Sequence, residues 1–300
     1  MDAGKMNMPI FPARDNSQPM TTDELFRYSC VMSVAGSDSS GGAGIQADLK
    51  TFAALGCYGM TAISAITAQN TCGVSAVMVV SPTMLREQIE AVFDDITVDA
   101  LKIGMLPSRD HIQVIGDVID RYKIPNIVLD PVLASTSGAQ FMDAQAIPHL
   151  VKNLFRRVDL ITPNLVEAGR LLGRDVVNRV DMEQAAFDLL RLGARAVLLK
   201  GGHLASDLVA DVLVTDDGRV VWMQGSRIAT RNSHGTGCTL SSAIAACLAK
   251  GESLQSAVVQ ARAFVRCALE AGAVATVGIG NGPLNHGFAP LQMSNSKRGI

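Results

Sequence analysis

From residue 30 to residue 290 the chain alternates short apolar runs with longer amphipathic segments. The runs Val31–Ala35, Ala62–Thr67, Ala100–Ile103, Ile127–Leu129, Leu160–Ile161 and Ala196–Leu199 read as buried strands. Helical spacing predicts helices over Ile45–Leu55, Met84–Phe93, His111–Tyr122, Ala144–Leu154, Leu165–Leu172, Met182–Leu192, Leu240–Ala249 and Leu254–Ala271. In the last, Leu254, Val258, Ala261, Val265, Ala268 and Leu269 fall on one face. Repeated strand–helix units predict an α/β fold, a central mostly parallel sheet with helices on both faces. Leu208–Val214 and Val220–Gln224 flank Asp216, Asp217 and Gly218, the signal of a hairpin. Met1–Ser29 is polar, holds three prolines and shows no sustained period, so it reads as a flexible extension. Residues 30–290 then form a single domain, and 291–300 a polar tail.

Composition narrows the function classes. A hydrophobic fraction of 48% against 18% charged residues provides a core and excludes disorder. Lys+Arg 26 against Asp+Glu 28 leaves no field of either sign to recruit nucleic acid or an anionic membrane. Aromatics, at 4%, are too few for a stacking platform along single strands. The six cysteines include no C-x-x-C pair, so neither a zinc ribbon nor a redox dithiol is supported. Without a signal peptide, a reducing cytoplasm is the expected compartment. No apolar run approaches the roughly 18–20 residues that span a bilayer.

Chemically useful clusters follow the apolar runs directly. Val34-Ala35 leads into the loop Gly36–Gly44, Ile66 to Gln69-Asn70, Ile103 to Gly104-Met105 and Leu129 to Asp130-Pro131-Val132. Ile161 leads to Thr162-Pro163-Asn164, and Leu199 to Lys200-Gly201-Gly202-His203. In open α/β sheets ligands bind outside the carboxyl ends of the strands, which is where these clusters fall.

The sharpest motif is Asn232-Ser233-His234-Gly235-Thr236-Gly237-Cys238-Thr239, opening an alanine-rich helix. Gly235 and Gly237 permit a tight turn, and the helix start offers unsatisfied N–H groups and a partial positive charge. That is an anion hole suited to a phosphoryl group. A plain turn capped by Thr236 or Ser233 fits the same spacing. No Walker A loop and no dinucleotide G-x-G-x-x-G occurs, and Gly278-x-Gly280-x-Gly282 runs into Pro283. Cys238, in the first turn, is expected to have a lowered pKa and to be reactive, the alternative being a small buried hydrophobe.

Other candidates carry an alternative each. Asp48 edges the apolar stripe of Ile45, Leu49 and Phe52, so it either belongs to a solvated helix face or needs a partner or a ligand group to accept from. Asn164 and Glu167 fit a capping box, or hard oxygen groups near Mg²⁺ and phosphates. Asp130, closing a buried strand, is a second candidate for the metal, and Lys200 a candidate to neutralise phosphate charge.

Taken in order, Ala35–Thr51, Ala68–Thr71, Lys102–Leu106, Asp130–Val132, Ile161–Asn164, Lys200–His203 and His234–Thr239 closely resemble bacterial hydroxymethylpyrimidine/phosphomethylpyrimidine kinases of thiamine biosynthesis. The resemblance runs from about Cys30 to about Phe288. It implies a three-layer ribokinase-like fold, a homodimer, and phosphoryl transfer from Mg-ATP to 4-amino-5-hydroxymethyl-2-methylpyrimidine and then to its monophosphate. By motif, Gln69 would pair with the pyrimidine edge and Asp48 would lie near the reacting substituent. Gly36, Ala43, Met105 and Val132 would line the pocket. Gly235, Thr236 and Gly237 would form the anion hole, with Cys238 where sugar kinases of the superfamily carry a general-base aspartate. Asn164, Glu167 and Lys200 would face ATP and Mg²⁺.

The amide of Gln69 offers both a donor and an acceptor, which independently suits an aminopyrimidine edge. The nearest rival is pyridoxal kinase. Some cysteine-bearing relatives acting on pyridoxal carry a second cysteine in the flap, and Leu133–Gly138 has none. The flap also lacks the lysine of some pyrimidine kinases, with Thr136 as its equivalent. A non-catalytic pyrimidine sensor is the third reading; the intact Gly-Thr-Gly-Cys argues against it.

Overall fold

The computed structural model describes residues 26–134, 138, 140–202, 204 and 207–293. Its strands are β1 (Cys30–Asp38), β2 (Tyr58–Asn70), β3 (Gly73–Val79), β4 (Ala100–Ile103), β5 (Ile127–Leu129), β6 (Leu160–Ile161), β7 (Ala196–Leu199), β8 (Leu208–Thr215) and β9 (Val220–Ser226). They form one sheet in the order β3-β2-β1-β4-β5-β6-β7-β8-β9. From β2 to β7 the neighbours are parallel, and β3, β8 and β9 join antiparallel at the edges.

The helices are α1 (Gly44–Ala54), α2 (Pro82–Phe93), α3 (Arg109–Tyr122), α4 (Ile147–Leu154), α5 (Leu165–Leu172), α6 (Arg179–Arg191), α7 (Thr236–Ala249) and α8 (Leu254–Gly272). One sheet face packs Leu85 and Ile89 of α2, Ile112 and Ile115 of α3, Leu150 of α4 and Leu189 of α6. The other packs Phe52 of α1, Ile244 and Leu248 of α7, and Val258 and Val265 of α8. This is the three-layer α/β architecture expected from the periodicity.

Helix α7 explains its own composition. Every residue from Thr239 to Ala249 is buried, so the helix has no solvent face and needs none. Its alanines let it lie close to the sheet between α1 and α8. Strand β1 sits between β2 and β4, so the chain order reverses there and its carboxyl end opens a crevice.

The sequence pattern did not mark β3. Val77, Met78 and Val79 are all exposed on this edge strand, so no alternation of buried and polar positions signals it. The domain also begins earlier than expected. Arg27 pairs with Asp99 at 2.8 Å, and the Ser29 carbonyl accepts from the Tyr58 N–H at 2.9 Å. Toward the other end, the Leu291 N–H donates to the Ala54 carbonyl at 2.9 Å. Of the extension, 1–25 lie outside the described residues, as do Thr136 of the flap and His203. Among the described residues no helix is long and apolar enough to cross a membrane.

Candidate active site

Two glycine turns meet back to back at the carboxyl end of β1. Gly44 has φ +54° and Gly235 has φ +84°, conformations that disfavour a side chain. A Cβ at Gly44 would overlap the Gly36 carbonyl oxygen, and one at Gly235 would overlap that of Gly42. The loop after β1 and the loop before α7 therefore meet as bare backbone where Gly235 faces Gly42.

At the start of α7 no side chain caps the helix. The Thr236 hydroxyl donates backward to the Ser233 carbonyl at 2.6 Å, and Thr239 Oγ1 donates to the Gly235 carbonyl at 2.8 Å. The capping alternative is therefore not realised. Among the described residues, no backbone carbonyl takes the N–H groups of Gly237 and Cys238. Two donors without a backbone acceptor thus sit at the positive end of a 14-residue helix.

Two charged groups and a hydroxyl, each following a different strand, converge on this turn. Lys200 Nζ donates to Asp130 Oδ1 at 2.8 Å. A Cβ on Gly237 would come within 3.3 Å of that Nζ and 3.6 Å of Asp130 Oδ2. Thr162 Oγ1 donates to the same Asp130 oxygen at 3.1 Å. Against burial, which would lower it, the Asp130 and Glu167 carboxylates hold the Lys200 ammonium above its usual range.

Asn164 and Glu167 realise the capping box at the start of α5. Asn164 Oδ1 accepts from the Glu167 N–H at 2.9 Å, and Glu167 Oε2 accepts from the Asn164 N–H at 2.8 Å. Capping does not remove them from the site, because Asn164 and Lys200 are bridged side by side on adjacent parallel segments. Burial pushes the Glu167 carboxyl up to about 7, with Lys200 pulling it down and Asp130 pushing it further up.

Cys238 corrects an expectation. Its thiol is raised to about 11, not lowered. Burial is the dominant cause, and it outweighs the Lys102 ammonium and the Gly44 N–H, which favour the thiolate. The repelling carboxylates of Asp48 and Asp130 add to the rise. At neutral pH this cysteine is a thiol.

Asp48 is placed beneath the site and not at its wall. Its carboxylate accepts from Lys102 Nζ at 2.8 and 3.0 Å, from Ser33 Oγ at 2.5 Å and from Ser242 Oγ at 2.7 Å. With side-chain exposure of 0%, it answers its burial with protein partners rather than with a ligand. Lys102 and Ser242 carry the other half of this cluster; Lys102 lies inside a family motif but had no role assigned, and Ser242 was not singled out.

The opposite wall holds Gly36, Ala43, Met105 and Gln69. A Cβ on Gly36 would lie 2.9 Å from Met105 Sδ, so the glycine makes room for the sulfur. The Met105 carbonyl accepts from Ser64 Oγ at 2.6 Å. The Gln69 amide lies 3.1 Å from Thr67 Oγ1 and 3.2 Å from His234 Nε2. His234 Nε2 is also 2.9 Å from Asp38 Oδ2. Against the upward push of burial, hydrogen bonds from His234, Ser40 and Ala43 hold the Asp38 carboxyl down at about 2. The roles of Asp38 and His234 were not read from the sequence, although both lie inside its motifs. Val132 follows Asp130 at the flap base, half-buried.

A cavity of about 780 Å³ opens elsewhere, between the flap base and α4–α6. It is lined by apolar groups such as Leu133, Met142, Ile147 and Leu171, and it holds none of the residues above.

A family model described as phosphomethylpyrimidine kinase matches residues 38–285, which include both glycine turns and the Lys200 cluster.

The chain belongs to the phosphomethylpyrimidine kinase family.

A hydroxymethylpyrimidine/phosphomethylpyrimidine kinase of Rhizobium meliloti is 47% identical over 256 residues, covering 85% of this chain and 96% of that protein. The crystal structure of a phosphomethylpyrimidine kinase from Clostridium difficile superposes with a TM-score of 0.70 at 42% identity, covering 80% of this chain and 99% of that one. The Staphylococcus aureus pyridoxal kinase in complex with ADP superposes with a TM-score of 0.81 at 33% identity, covering 90% and 97%. Sequence likeness is thus greater to the pyrimidine kinases, and backbone likeness to a pyridoxal kinase. Both share the ribokinase-like frame, and specificity within it is set by side chains.

Proposed function

We propose that this kinase transfers the γ-phosphoryl group of ATP to 4-amino-5-hydroxymethyl-2-methylpyrimidine, and then to the monophosphate, giving the diphosphate used in thiamine biosynthesis. The observation that carries the reading is the open pair of N–H groups at Gly237 and Cys238, with Lys200 beside them. Phosphoryl transfer requires positioning and charge stabilisation more than covalent help. The helix start and Lys200 supply both to the oxygens of the moving group. Cys238 meets the acceptor as a neutral thiol. A neutral thiol takes no proton, so the proton of a hydroxyl acceptor passes to an oxygen of the transferred phosphoryl group, while a phosphate acceptor, already ionised, meets no fixed negative charge.

ATP lies along Lys200 and Asn164 in this reading. Magnesium fits the same side. Among the described residues no three His, Cys, Asp or Glu gather into a cage. Mg²⁺ usually needs none, since it keeps waters and is held by one or two carboxylates plus substrate phosphates. Asp130 and Glu167 are the carboxylates that would hold it, and it would supply neutralisation of phosphate charge.

Two broader assignments accompany this. The exposed Ile66, Val77, Met78 and Val79 on β2 and β3 support a homodimer formed along that edge, which light scattering would test. All six cysteines are free, which supports a reducing, cytoplasmic setting.

The test is ADP release with hydroxymethylpyrimidine, its monophosphate and pyridoxal at matched concentrations. Turnover on both pyrimidines with little on pyridoxal is expected. Turnover on pyridoxal alone would favour the second reading, for which the backbone match to the S. aureus enzyme is the supporting observation.

A further inference from the structure

Gln69 is a recognition group whose meaning depends on which way round its amide lies. One orientation presents N–H and then C=O to a ligand edge, and the other presents the reverse. Distances alone do not distinguish the two, but the protons of the neighbours do.

Asp38 accepts from the Ser40 N–H at 2.8 Å, Ser40 Oγ at 2.7 Å, the Ala43 N–H at 2.8 Å and the Gly42 N–H at 3.1 Å. A carboxylate held by that many donors stays ionised and can only accept. His234 Nε2, 2.9 Å from Asp38 Oδ2, must therefore carry a proton and donate it there. A protonated ring nitrogen has no lone pair for an amide N–H, so the amide, whose Nε2 is placed 3.2 Å from His234 Nε2, must be turned about so that its oxygen faces the ring. Thr67 gives the same answer independently. Its single hydroxyl proton has two oxygens in reach, the Ser37 carbonyl at 2.9 Å and Gln69 Oε1 as placed at 3.1 Å; given to the nearer, it leaves lone pairs toward Gln69 that accept from the amide nitrogen once the amide is turned. Both neighbours demand one orientation, and no other side chain among the described residues claims the amide.

We propose that the Asp38–His234 pair, with Thr67, is a specificity-determining positioning device that fixes the Gln69 amide. The amide then keeps one free N–H and one free oxygen lone pair in a set order. That order fits an edge with a ring-nitrogen acceptor beside an amino donor. It rejects the reversed edge, a carbonyl beside a ring N–H. The inference rests on the pyrimidine reading in that Gln69 meets the ring edge.

The experiment compares kcat/KM for the 4-amino substrate and its 4-oxo counterpart, which carries the same hydroxymethyl group. The wild type is expected to prefer the amine by roughly 10³-fold or more, because the reversed edge leaves buried groups unpaired. In His234→Phe the preference is expected to fall by at least about tenfold, since a lost hydrogen-bond constraint of this kind is worth about that factor. Thr67→Val, nearly the same shape, is expected to move the ratio in the same direction and serves if His234→Phe does not fold. A purely structural role would slow both substrates by one factor, so an unchanged ratio in the folded variants overturns the proposal. No binding or turnover of either ring by the wild type would instead overturn the pyrimidine reading, and the ligand order with it.

Discussion

Lys102 and Asp48 form an ion pair at 2.8 Å in which neither side chain is exposed at all. The pair lies beneath Cys238, and Ser242, one helical turn further along α7, donates to the same carboxylate at 2.7 Å. It thus ties the anion-hole helix to strands β1 and β4. A buried pair is a poor source of net stability, but breaking it leaves one charge unanswered. Lys102→Met alone is expected to lower unfolding stability by about 3–5 kcal/mol. Adding Asp48→Asn, which removes the orphaned charge while keeping an acceptor for the serines, should recover most of the loss. Urea denaturation of the two variants measures this, and equal stability of both would contradict it.

Cys238 is expected to resist alkylation at neutral pH. With its thiol raised to about 11, the thiolate is scarce, and the rate should climb about tenfold per pH unit through pH 9 without a plateau. The iodoacetamide reaction is best followed after the exposed Cys72 and Cys267 are changed to serine. A plateau near pH 8 would mean that the helix start, and not burial, governs this group.

Cys238→Asp places a fixed carboxylate where the acceptor binds. The second phosphorylation, onto a phosphate, should suffer more than the first, onto a hydroxyl. Single-turnover rates for the two acceptors give the comparison, and equal losses would remove the argument for a neutral thiol.

Glu167 gives stability a pH dependence of definite sign. Its folded pKa is about 7 against an ordinary 4.5, so the folded chain holds this proton more tightly than the unfolded one. The contribution is therefore largest below pH 4.5 and is lost as pH rises through 7. Glu167→Gln, which can still accept from the Asn164 N–H, should flatten that part of the profile. Urea midpoints between pH 5 and pH 8 test it, and an unchanged slope would place the titration elsewhere.

Gly235→Ala should disable the enzyme without touching a side chain. The φ of +84° and the overlap with the Gly42 carbonyl oxygen force the two loops apart. Loss of an aligned oxyanion donor typically costs about 10²–10³ in kcat. A kcat within about tenfold of the wild type would mean that the anion hole tolerates the displacement.

How far the sequence reached depended on the range of the interaction. The strands β1, β4, β5 and β7 and the helices were legible because burial imprints a period on the chain. The edge strand β3 was not, because exposed Val77, Met78 and Val79 carry no such imprint. The glycine turn at Gly235 announced itself, since only glycine suits the positive φ and the close approach.

Partners far apart in the chain were decided by the tertiary structure. Asp48 looked like a ligand group because Lys102, 54 residues away, and Ser242, 194 away, cannot be paired with it by spacing. Gln69 was legible as a donor–acceptor group, but its orientation depends on His234, 165 residues on. At Cys238 the local rule, a helix start that lowers a thiol pKa, was outweighed by burial. The sequence by itself determined the elements, the glycine turns and the family motifs, because these are local. Charge states and hydrogen-bond directions came only with the fold, because each depends on which distant groups share a low-dielectric interior.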